Sequence, residues 1–336
     1  MAEEQDAPQV SYEELASIED QFEQIDTEIM RKQYELSKSA YAKRKEAVAK
    51  IPHFWPLVLE AAPPEIDQFI QTNDSRIIAE HLLEIDVTRP ELDDGKAGNP
   101  RSLKISFKFE PNDDFEDEVL EKTFWYRRAS DGWTGLVSEP VKINWKKDKD
   151  LTEGLTDGAV KLFEARKKAG DMMSKTVPEY AALKEKVEHW SAMNTSFFTW
   201  FGWISGRRWV SAEESEKAMA EHAEKKANGK NGATEEDDDE EYNEDEEDDK
   251  EDDSDVEVHH AGEEFAISLA DELWPNAIKY FTDAQEMDEI SEGDFEEDFD
   301  EDDEEDGEPI DIAELLKEDK KRGKSDGGPP SKKAKK

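Results

Sequence analysis

The sequence predicts an α+β fold: a long N-terminal dimerisation helix, then a domain in which helices cover an antiparallel sheet of about four strands, with a disordered acidic insert and tail. Three observations predict it. Residues 11–50 contain no Pro or Gly and repeat apolar residues at helical spacing, residues 83–145 include segments that alternate with the period of strands, and 40% of the 336 residues are charged, with a net charge of −45. So high a charge excludes much of the chain from a packed core.

The acidic residues are concentrated in one segment. Between Glu235 and Glu308 there are 39 acids and 2 bases, whereas residues 1–234 carry 45 acids and 33 bases, and residues 309–336 carry 5 acids and 9 bases. Nucleic-acid binding depends on Lys and Arg that release counterions from phosphates. The charge balance therefore favours polycations as partners and leaves nucleic acid an indirect role.

The chain contains no cysteine. Disulfides, thiol nucleophiles and thiolate zinc sites are excluded, and a reducing compartment is favoured. Residues 1–12 carry three acids and no base, unlike a signal or transit peptide, and no apolar run approaches about 18 residues. These features predict a soluble, intracellular protein without a membrane segment. The histidines lack metal-ligand spacing and no nucleophile–base pattern is present, so neither a cofactor nor catalysis is expected.

The first element is a helix that begins at a capping box, Ser11 followed by Glu14. Apolar residues then recur at steps of three and four, which places them on one seam at heptad spacing. A helix of this length extends about 58 Å, more than a small domain needs, so the seam is predicted to pair with a second copy of the chain. The predicted dimer-interface residues are Leu15, Ile18, Phe22, Ile25, Ile29 and Leu36.

The apolar seam changes phase after Ile29. The later apolar residues, Met30, Tyr34, Tyr41 and Val48, lie one position out of the first register. A change of phase indicates a change in what the helix faces. The hypothesis is that the first half packs on a partner helix and the second half on the chain's own domain. The alternative is a long helix that lies on one domain alone.

Pro52 ends this helix, short helical stretches follow at residues 66–82, and the apolar period then changes to two. Asp131-Gly132 lies between two strand-like segments and predicts a hairpin turn, because Gly tolerates the positive φ that such turns need. Strands joined by short links form an antiparallel sheet. The four predicted strands are residues 83–87, 103–109, 119–128 and 141–145.

Helical patterns return after the sheet. Residues 158–193 predict two helices broken at Pro178, and residues 211–227 predict a third that has almost no apolar face and is a solvated helix or spacer. Acidic residues 235–260 hold too few apolar side chains to form a core, and order returns at residues 265–281. The predicted organisation is a disordered terminus at 1–10, the dimerisation helix at 11–51, a domain at 52–227, a disordered acidic insert at 228–262, the domain's terminal helical segment at 263–286, an acidic tail at 287–308 and a basic tail at 309–336.

Six short motifs follow one another along the chain. They are IPHFW at 51–55, IDVT at 85–88, KINW at 142–145, KDLT at 149–152, SFFTWF at 196–201 and LWPNA at 273–277. Together they resemble the nucleosome assembly protein family, most closely its SET-type branch. The resemblance covers roughly residues 12–204 and 263–285, and its most specific part is the aromatic motif.

This resemblance implies a histone chaperone. In that family the long helices form a homodimer, and each chain carries an "earmuff" domain whose underside, with the acidic tails, binds core histones. Carried over by position, Thr199 lies on that underside. The chain departs from related animal proteins, which have a Thr-Asp pair where Gly202-Trp203 stand here. Phe201 and Leu273 are also 72 positions apart, so the first acidic run is an insert tethered at both ends.

The acidic runs are predicted to bind histones reversibly. Duplex DNA carries a charge about every 1.7 Å, whereas residues 235–308, if extended, offer about one net charge per 7 Å. The runs should therefore screen histone tails and yet release them when DNA competes. The predicted histone-binding residues, besides Thr199, are Glu235, Glu236, Asp237, Asp238, Asp239, Glu240, Glu241, Asp298, Asp300, Glu301, Asp302, Asp303, Glu304 and Glu305.

An aromatic cluster surrounds the most specific motif. It is predicted to be core packing and not a base-stacking platform, because few bases lie near it. The adjacent Arg207-Arg208 pair could contact DNA or the acidic insert, and the sequence does not distinguish these. The cluster comprises Phe197, Phe198, Trp200, Phe201, Trp203 and Trp209.

The C-terminal residues reverse the sign of the charge. Two basic groups separated by ten residues fit a bipartite nuclear-import signal, which predicts a nuclear protein that could also shuttle with the cytoplasm. The alternative is a basic tail that folds onto the acidic runs. The basic residues are Lys320, Lys321, Lys332, Lys333, Lys335 and Lys336.

The predicted function is that of a non-catalytic, homodimeric chaperone for H3–H4, H2A–H2B or both. One alternative is an acidic scaffold or inhibitor that binds a histone-modifying enzyme or a phosphatase. A second alternative is a polyanion that only aids solubility. Histone transfer to DNA distinguishes the three, because only the chaperone needs both its acidic segments and its folded domain to deposit nucleosomes.

Overall fold

The structure is a computed structural model that describes residues 12–93, 98–189, 195–205, 208–227 and 256–296. Within these residues, nine α-helices and four strands make up the regular structure. The described residues up to Asp288 belong to one structural unit, and the end of the last helix belongs to a second. The helices are α1 (Tyr12–Val48), α2 (Phe54–Glu60), α3 (Pro64–Asp67), α4 (Thr72–His81), α5 (Leu155–Ala169), α6 (Pro178–His189), α7 (Ala212–Ala227), α8 (Gly262–Ser268) and α9 (Ala277–Glu296). The strands are β1 (Leu82–Thr88), β2 (Leu103–Phe109), β3 (Val119–Arg128) and β4 (Thr134–Ser138).

The strands form one antiparallel sheet in the order β1-β2-β3-β4. Ile85 lies opposite Phe107, and Leu103 lies opposite Phe124. The alternating residues of β2 are buried because successive side chains of a strand point to opposite faces. The predicted α+β class and four-stranded antiparallel sheet are confirmed.

The fourth strand is not the predicted one. The turn at Asp131-Gly132 is present, with Gly132 at φ +94°, and β4 starts two residues later. Residues 141–145 instead form an irregular segment, in which Trp145 forms an isolated bridge with Phe115 of the connection between β2 and β3. A tight turn returns the chain to β3 at once, so the residues nearest the turn take the pairing positions.

Two cores lie in the folded unit. The main core packs α2, α4, α8 and the aromatic motif against the sheet, and a smaller one lies between α5 and α6. Pro178 begins α6, as the predicted break requires. Helix α7 packs on β3, where the Ser215 hydroxyl accepts a hydrogen bond from the Arg128 amide at 3.0 Å and Ala218 is buried. It is therefore not the fully solvated helix that its weak apolar face predicted.

Candidate functional site

Helix α1 presents an apolar stripe to solvent. The six seam residues predicted to form the dimer interface, Leu15 to Leu36, have 43–69% of their surface exposed in the single chain. Regularly spaced large apolar side chains of this kind mark a surface that binds protein. The structure thus leaves this stripe uncovered by the chain's own domain.

A second side of α1 lies on the domain. Met30, Tyr34 and Tyr41 are half-buried and Val48 is buried, which confirms that the second apolar register faces the chain's own domain. At about 100° per residue, these positions lie roughly 120° around the helix from the exposed stripe. The domain-facing side continues toward the N-terminus through polar contacts, such as that of Glu23 with Arg101 at 3.0 Å. The two registers therefore use two separate faces.

Arg44 joins α1 to the turn before α9. Its guanidinium donates hydrogen bonds to the carbonyl oxygens of Trp274 and Pro275, and lies 4.4 Å from the centre of the Trp274 ring. The Tyr41 ring packs against the same indole at a tilt of 44°, with ring centres 4.2 Å apart, and the indole N–H donates to the Ile85 carbonyl at 3.1 Å. Trp274 sits in this position after a π-helical turn at Leu269–Leu273. Helix α1, β1 and the terminal segment are thereby fixed to one another.

The aromatic motif is a buried 3-10 turn at Phe197–Gly202. Phe197, Phe198, Trp200 and Phe201 are 0–2% exposed, and Trp203 is also buried, so core packing is confirmed for these five of the six predicted residues. Trp209 is half-buried and packs edge-on against Phe163.

The prediction that Thr199 contacts histones needs a correction. Its side chain is completely buried, and its hydroxyl donates to the Ser196 carbonyl at 2.7 Å. A residue inside a tight turn cannot present its hydroxyl to a partner. Thr199 therefore stabilises the aromatic turn.

Two buried charged residues that the sequence reasoning missed hold this turn in place. Asp74 accepts hydrogen bonds from the Ser196 hydroxyl at 2.6 Å and from the Phe197 amide at 2.7 Å. Lys122 donates to the carbonyls of Glu139, Phe201 and Trp203 at 2.8–3.2 Å. Burial raises the pKa of Asp74 and lowers the pKa of Lys122 well below its ordinary value. In the sequence, the one feature that could have pointed to these buried residues was a charged residue within a segment whose apolar residues repeat periodically.

The departure at Gly202-Trp203 is explained by packing. The Trp203 indole stacks on Phe124 with ring centres 5.6 Å apart and crosses the backbone at Gly262, where a Cβ atom would lie 2.2 Å from the ring. Gly262 is therefore required by the close approach of the indole. An apolar contact is therefore made at Trp203.

The chain returns from the acidic run earlier than predicted. The predicted insert extends to residue 262, but Val258 is buried in the small core between α5 and α6, and His259 is 3% exposed. His259 lies 5.0 Å from the Phe69 ring and accepts a hydrogen bond from the Ala261 amide. The buried residues after position 255 thus fix the C-terminal end of the insert beside the domain, while Ala227 ends α7 on its N-terminal side.

We expect His259 to make stability dependent on pH. Burial, with smaller contributions from His260 and Lys122, lowers the pKa of His259 from 6.5 to about 3. Between these values the unfolded chain binds more protons, so the stability contribution is complete above pH 6.5 and is lost as the pH falls towards 3. As the pH falls from 6.5 to 4.5, this residue should lower the free energy of unfolding by about 2–3 kcal/mol, at about 1.4 kcal/mol per pH unit.

Urea unfolding of the wild type and of His259→Asn at several pH values measures this effect. The Asn side-chain oxygen can still accept the Ala261 amide but does not titrate, so the difference between the two proteins isolates the imidazole. A difference that does not change between pH 6.5 and 4.5 would refute the assignment.

A cleft of about 370 Å³ adjoins this return point. Trp133, Trp203, Glu257 and Glu263 are among its lining residues. Arg208 pairs with Asp131, in the turn between β3 and β4, at 2.5 Å and lies over the Trp133 ring. Arg207 and the predicted acidic and basic residues at 235–241, 298–305 and 320–336 lie outside the described residues.

Helix length and polarity also bear on the type of protein. None of the helices in the described part of the chain combines the length and apolar character needed to span a bilayer. A mixed α+β domain, an uncovered apolar stripe on a long helix and an acidic run that lies in the sequence between two segments packed on the domain are together typical of an acidic binding protein.

The chain belongs to the nucleosome assembly protein (NAP) family, whose model matches residues 5–284. NAP1-related protein 2 of Arabidopsis thaliana is 28% identical over 287 residues, which are 83% of this chain and 79% of that protein. A Schizosaccharomyces pombe relative is 34% identical over 42% of this chain and 59% of its own length. Protein SET of Drosophila melanogaster is 31% identical over 37% of this chain and 44% of that protein. The resemblance seen in the sequence motifs is confirmed.

A solved structure also aligns with the chain. The Vps75 histone chaperone is 20% identical, with a TM-score of 0.47, over 81% of this chain and 97% of the other.

Proposed function

We propose that this protein is a dimeric histone chaperone that binds core histones, H3–H4, H2A–H2B or both, and transfers them to DNA for nucleosome assembly. Membership of the NAP family supports this function. The observation that carries it is the placement of the acidic run. Residues 235–255 hold 17 acids and one base, between a helix that packs on β3 and the buried Val258.

This placement suits a reversible polycation binder. A chain that is held at both ends keeps its carboxylates close to the folded surface. A histone bound there therefore contacts both the carboxylates and the folded surface. The acids screen histone tails and suppress wrong contacts, whereas duplex DNA, with roughly 2.5 times their charge density, displaces them. Attraction by exposed charges weakens with salt, since the Debye length is about 8 Å at physiological ionic strength. Binding that persists at higher salt must come from the folded domain.

The charges of α1 support a particular dimer. From Tyr12 to Ile29 the helix carries seven acids and no base, and from Met30 to Val48 it carries six bases and two acids. Parallel pairing would place like charges together, whereas antiparallel pairing places the acidic half beside the basic half. It also separates Lys32 from its copy, which parallel heptads would bring face to face. The proposed dimer is therefore antiparallel.

The basic C-terminal residues support a nuclear location, with Lys320, Lys321 and the final lysines as an import signal. The alternative function, an acidic scaffold for a histone-modifying enzyme or a phosphatase, uses the same charges but needs no histone transfer. Nucleosome deposition separates the two functions.

Deletion of residues 235–255 and 288–308 tests the proposal. We expect histone binding to weaken at least about tenfold at low salt, and much less at about 0.3–0.5 M salt, where exposed charges are screened. Isothermal titration with each histone pair measures binding, and supercoiling of relaxed plasmid measures deposition.

A matched control keeps the length of residues 235–255 but replaces Asp by Asn and Glu by Gln. If the control binds histones like the wild type, the weaker binding of the deletion variant is not caused by the loss of charge. Equal losses at low and moderate salt would contradict the division between acidic run and domain. A wild-type protein that binds histones without depositing nucleosomes would favour the scaffold.

A further inference from the structure

The cleft of about 370 Å³ beside the end of the acidic run combines apolar walls with carboxylates. Its volume falls within the range of about 300–1,000 Å³ that is usual for ligand pockets. Apolar side chains form part of the wall: Trp133, Leu136 and Trp203. Three carboxylates also line it: Glu257, Glu263 and Glu264. Such a lining offers an occupant both apolar contact and negative charge.

The described lining holds one guanidinium, and it does not neutralise these carboxylates. Arg208 lines the cleft, but its ion pair, at 2.5 Å, is with Asp131, which is outside the lining. No Lys or Arg in the described part of the chain forms an ion pair with Glu263 or Glu264. The cleft therefore carries an excess of negative charge.

Glu263 is half-buried, so its negative charge is partly shielded from water. Burial raises the pKa of this carboxyl and the nearby Glu264 adds to the rise, although the Leu136 amide donates a hydrogen bond to the carboxylate. A cation in the cleft would offset both the loss of hydration and the repulsion between the two carboxylates. The cleft therefore favours a cationic occupant over a neutral or anionic one.

We propose that this cleft binds a lysine or arginine side chain of a basic polypeptide. Long cationic side chains fit its chemistry, because their methylene stems pack along apolar walls while their charged ends reach carboxylates. Arg208 shows a similar arrangement within the chain itself: its guanidinium lies 5.6 Å from the centre of the Trp133 ring and pairs with Asp131. A cation from a second polypeptide would meet the same two kinds of group in the cleft, an indole and carboxylates.

The position of the cleft points to the polypeptide that it serves. This assignment rests on the proposed function and names a place on the folded domain that holds a basic segment of a histone. Glu257 lies two residues after the acidic run at 235–255, which carries 17 acids and one base. A polycation attracted by the run is therefore concentrated beside the cleft. Partly buried charge pairs are screened by salt less than exposed ones, so contacts in the cleft persist at higher salt.

Glu263→Gln/Glu264→Gln in the full-length chain tests the assignment. The substitutions remove two carboxylates with little change of shape, and the Gln oxygen at position 263 can still accept the Leu136 amide. The probe is a short synthetic peptide in which lysine and alanine alternate. Calorimetric titration at about 0.3 M salt, where exposed charges are screened, measures its binding. We expect the dissociation constant to rise at least about fivefold in the variant, because two partners of the cation are lost.

Two controls separate the cleft from general charge. Glu185→Gln/Glu188→Gln removes the same two charges from exposed positions on α6 and should change the dissociation constant by less than about twofold. A peptide with acetylated lysines has lost its charge and should bind at least about fivefold more weakly than the unmodified peptide. Helical circular dichroism checks the fold. The single variant Glu264→Gln, at an exposed position, repeats the test if the double variant does not fold.

Fluorine NMR locates the contact. The protein is labelled with 5-fluorotryptophan, and the Trp133 signal is identified by its absence from Trp133→Phe. We expect the lysine peptide to shift this signal in the wild type and to leave it in place in Glu263→Gln/Glu264→Gln.

The outcomes separate the cleft from the proposed function. Equal dissociation constants for the wild type and Glu263→Gln/Glu264→Gln, or a Trp133 signal that does not move, would overturn the cleft assignment alone if the wild type still deposits nucleosomes. A wild type that neither binds the peptide nor deposits nucleosomes would overturn both. A Trp133 signal that shifts only after residues 317–336 are removed would assign the cleft to the chain's own basic tail and also overturn the proposal.

Discussion

Replacement of Phe22 and Ile25 by Asp is expected to convert the protein from a two-chain to a one-chain particle. Both side chains are more than half exposed on α1 and lie in the middle of the proposed seam. Pairing the variant would bury four carboxylates per dimer without partners, and an unpaired buried polar group costs at least about 1–3 kcal/mol. The dissociation constant of the dimer should therefore rise at least about a thousandfold, at about 1.4 kcal/mol for each tenfold change.

Light scattering after gel filtration, over a range of concentrations, measures the mass. Gln24→Asp is the matched control, because it adds a charge on the same turn but outside the stripe and should leave the mass unchanged. The fold of the variant is checked by its helical circular dichroism, since the domain does not need the stripe for its own core. An unchanged mass for Phe22→Asp/Ile25→Asp would refute the interface.

Asp74→Ala is expected to lower the free energy of unfolding by about 3–5 kcal/mol, as the loss of a buried, hydrogen-bonded charge typically does. The carboxylate is completely buried. It accepts hydrogen bonds from the Ser196 hydroxyl and from the amides of Phe197 and Gln71, at 2.6–3.0 Å. Alanine would leave these three donors unpaired inside the protein. The aromatic turn would lose its link to α4.

Urea unfolding at a fixed protein concentration measures this change, because the stability of a dimer depends on concentration. Ser75→Ala, the exposed neighbour on the same helix, should change the unfolding free energy by less than about 0.5 kcal/mol. A loss below about 1 kcal/mol for Asp74→Ala would show that the three donors find other partners.

Much of the fold was predictable because its signals are local. The seam of α1, the alternation of β2 and the turn at Asp131-Gly132 depend on residues close in sequence, and the structure contains all three elements. The fourth strand was misplaced, since residues 134–138 and 141–145 have similar strand propensity and only the reach of the hairpin decides between them. Propensity alone does not distinguish the two candidates, whereas position does, because β4 starts two residues after Gly132 and residue 141 lies nine residues after it.

The candidate site was less predictable, because burial is not a local property. Thr199 was assigned to the surface by its position in a family motif, whereas the structure encloses it in the aromatic turn. His259 follows an acidic run, and its burial depends on Phe69, far away in the chain. The sequence around Gly202-Trp203 did not indicate that the Trp203 indole crosses the backbone at Gly262.

The sequence by itself determined the composition of the parts: a helix with an apolar seam, a sheet, a run of acids and a basic end, all set by spacing and charge along the chain. The tertiary structure decided how those parts face one another. It turned the two registers of α1 to separate sides, buried Asp74 and Lys122 against one aromatic turn, and anchored the return of the acidic run at Val258. Periodicity fixes which residues share a face, but only long-range packing fixes what that face meets.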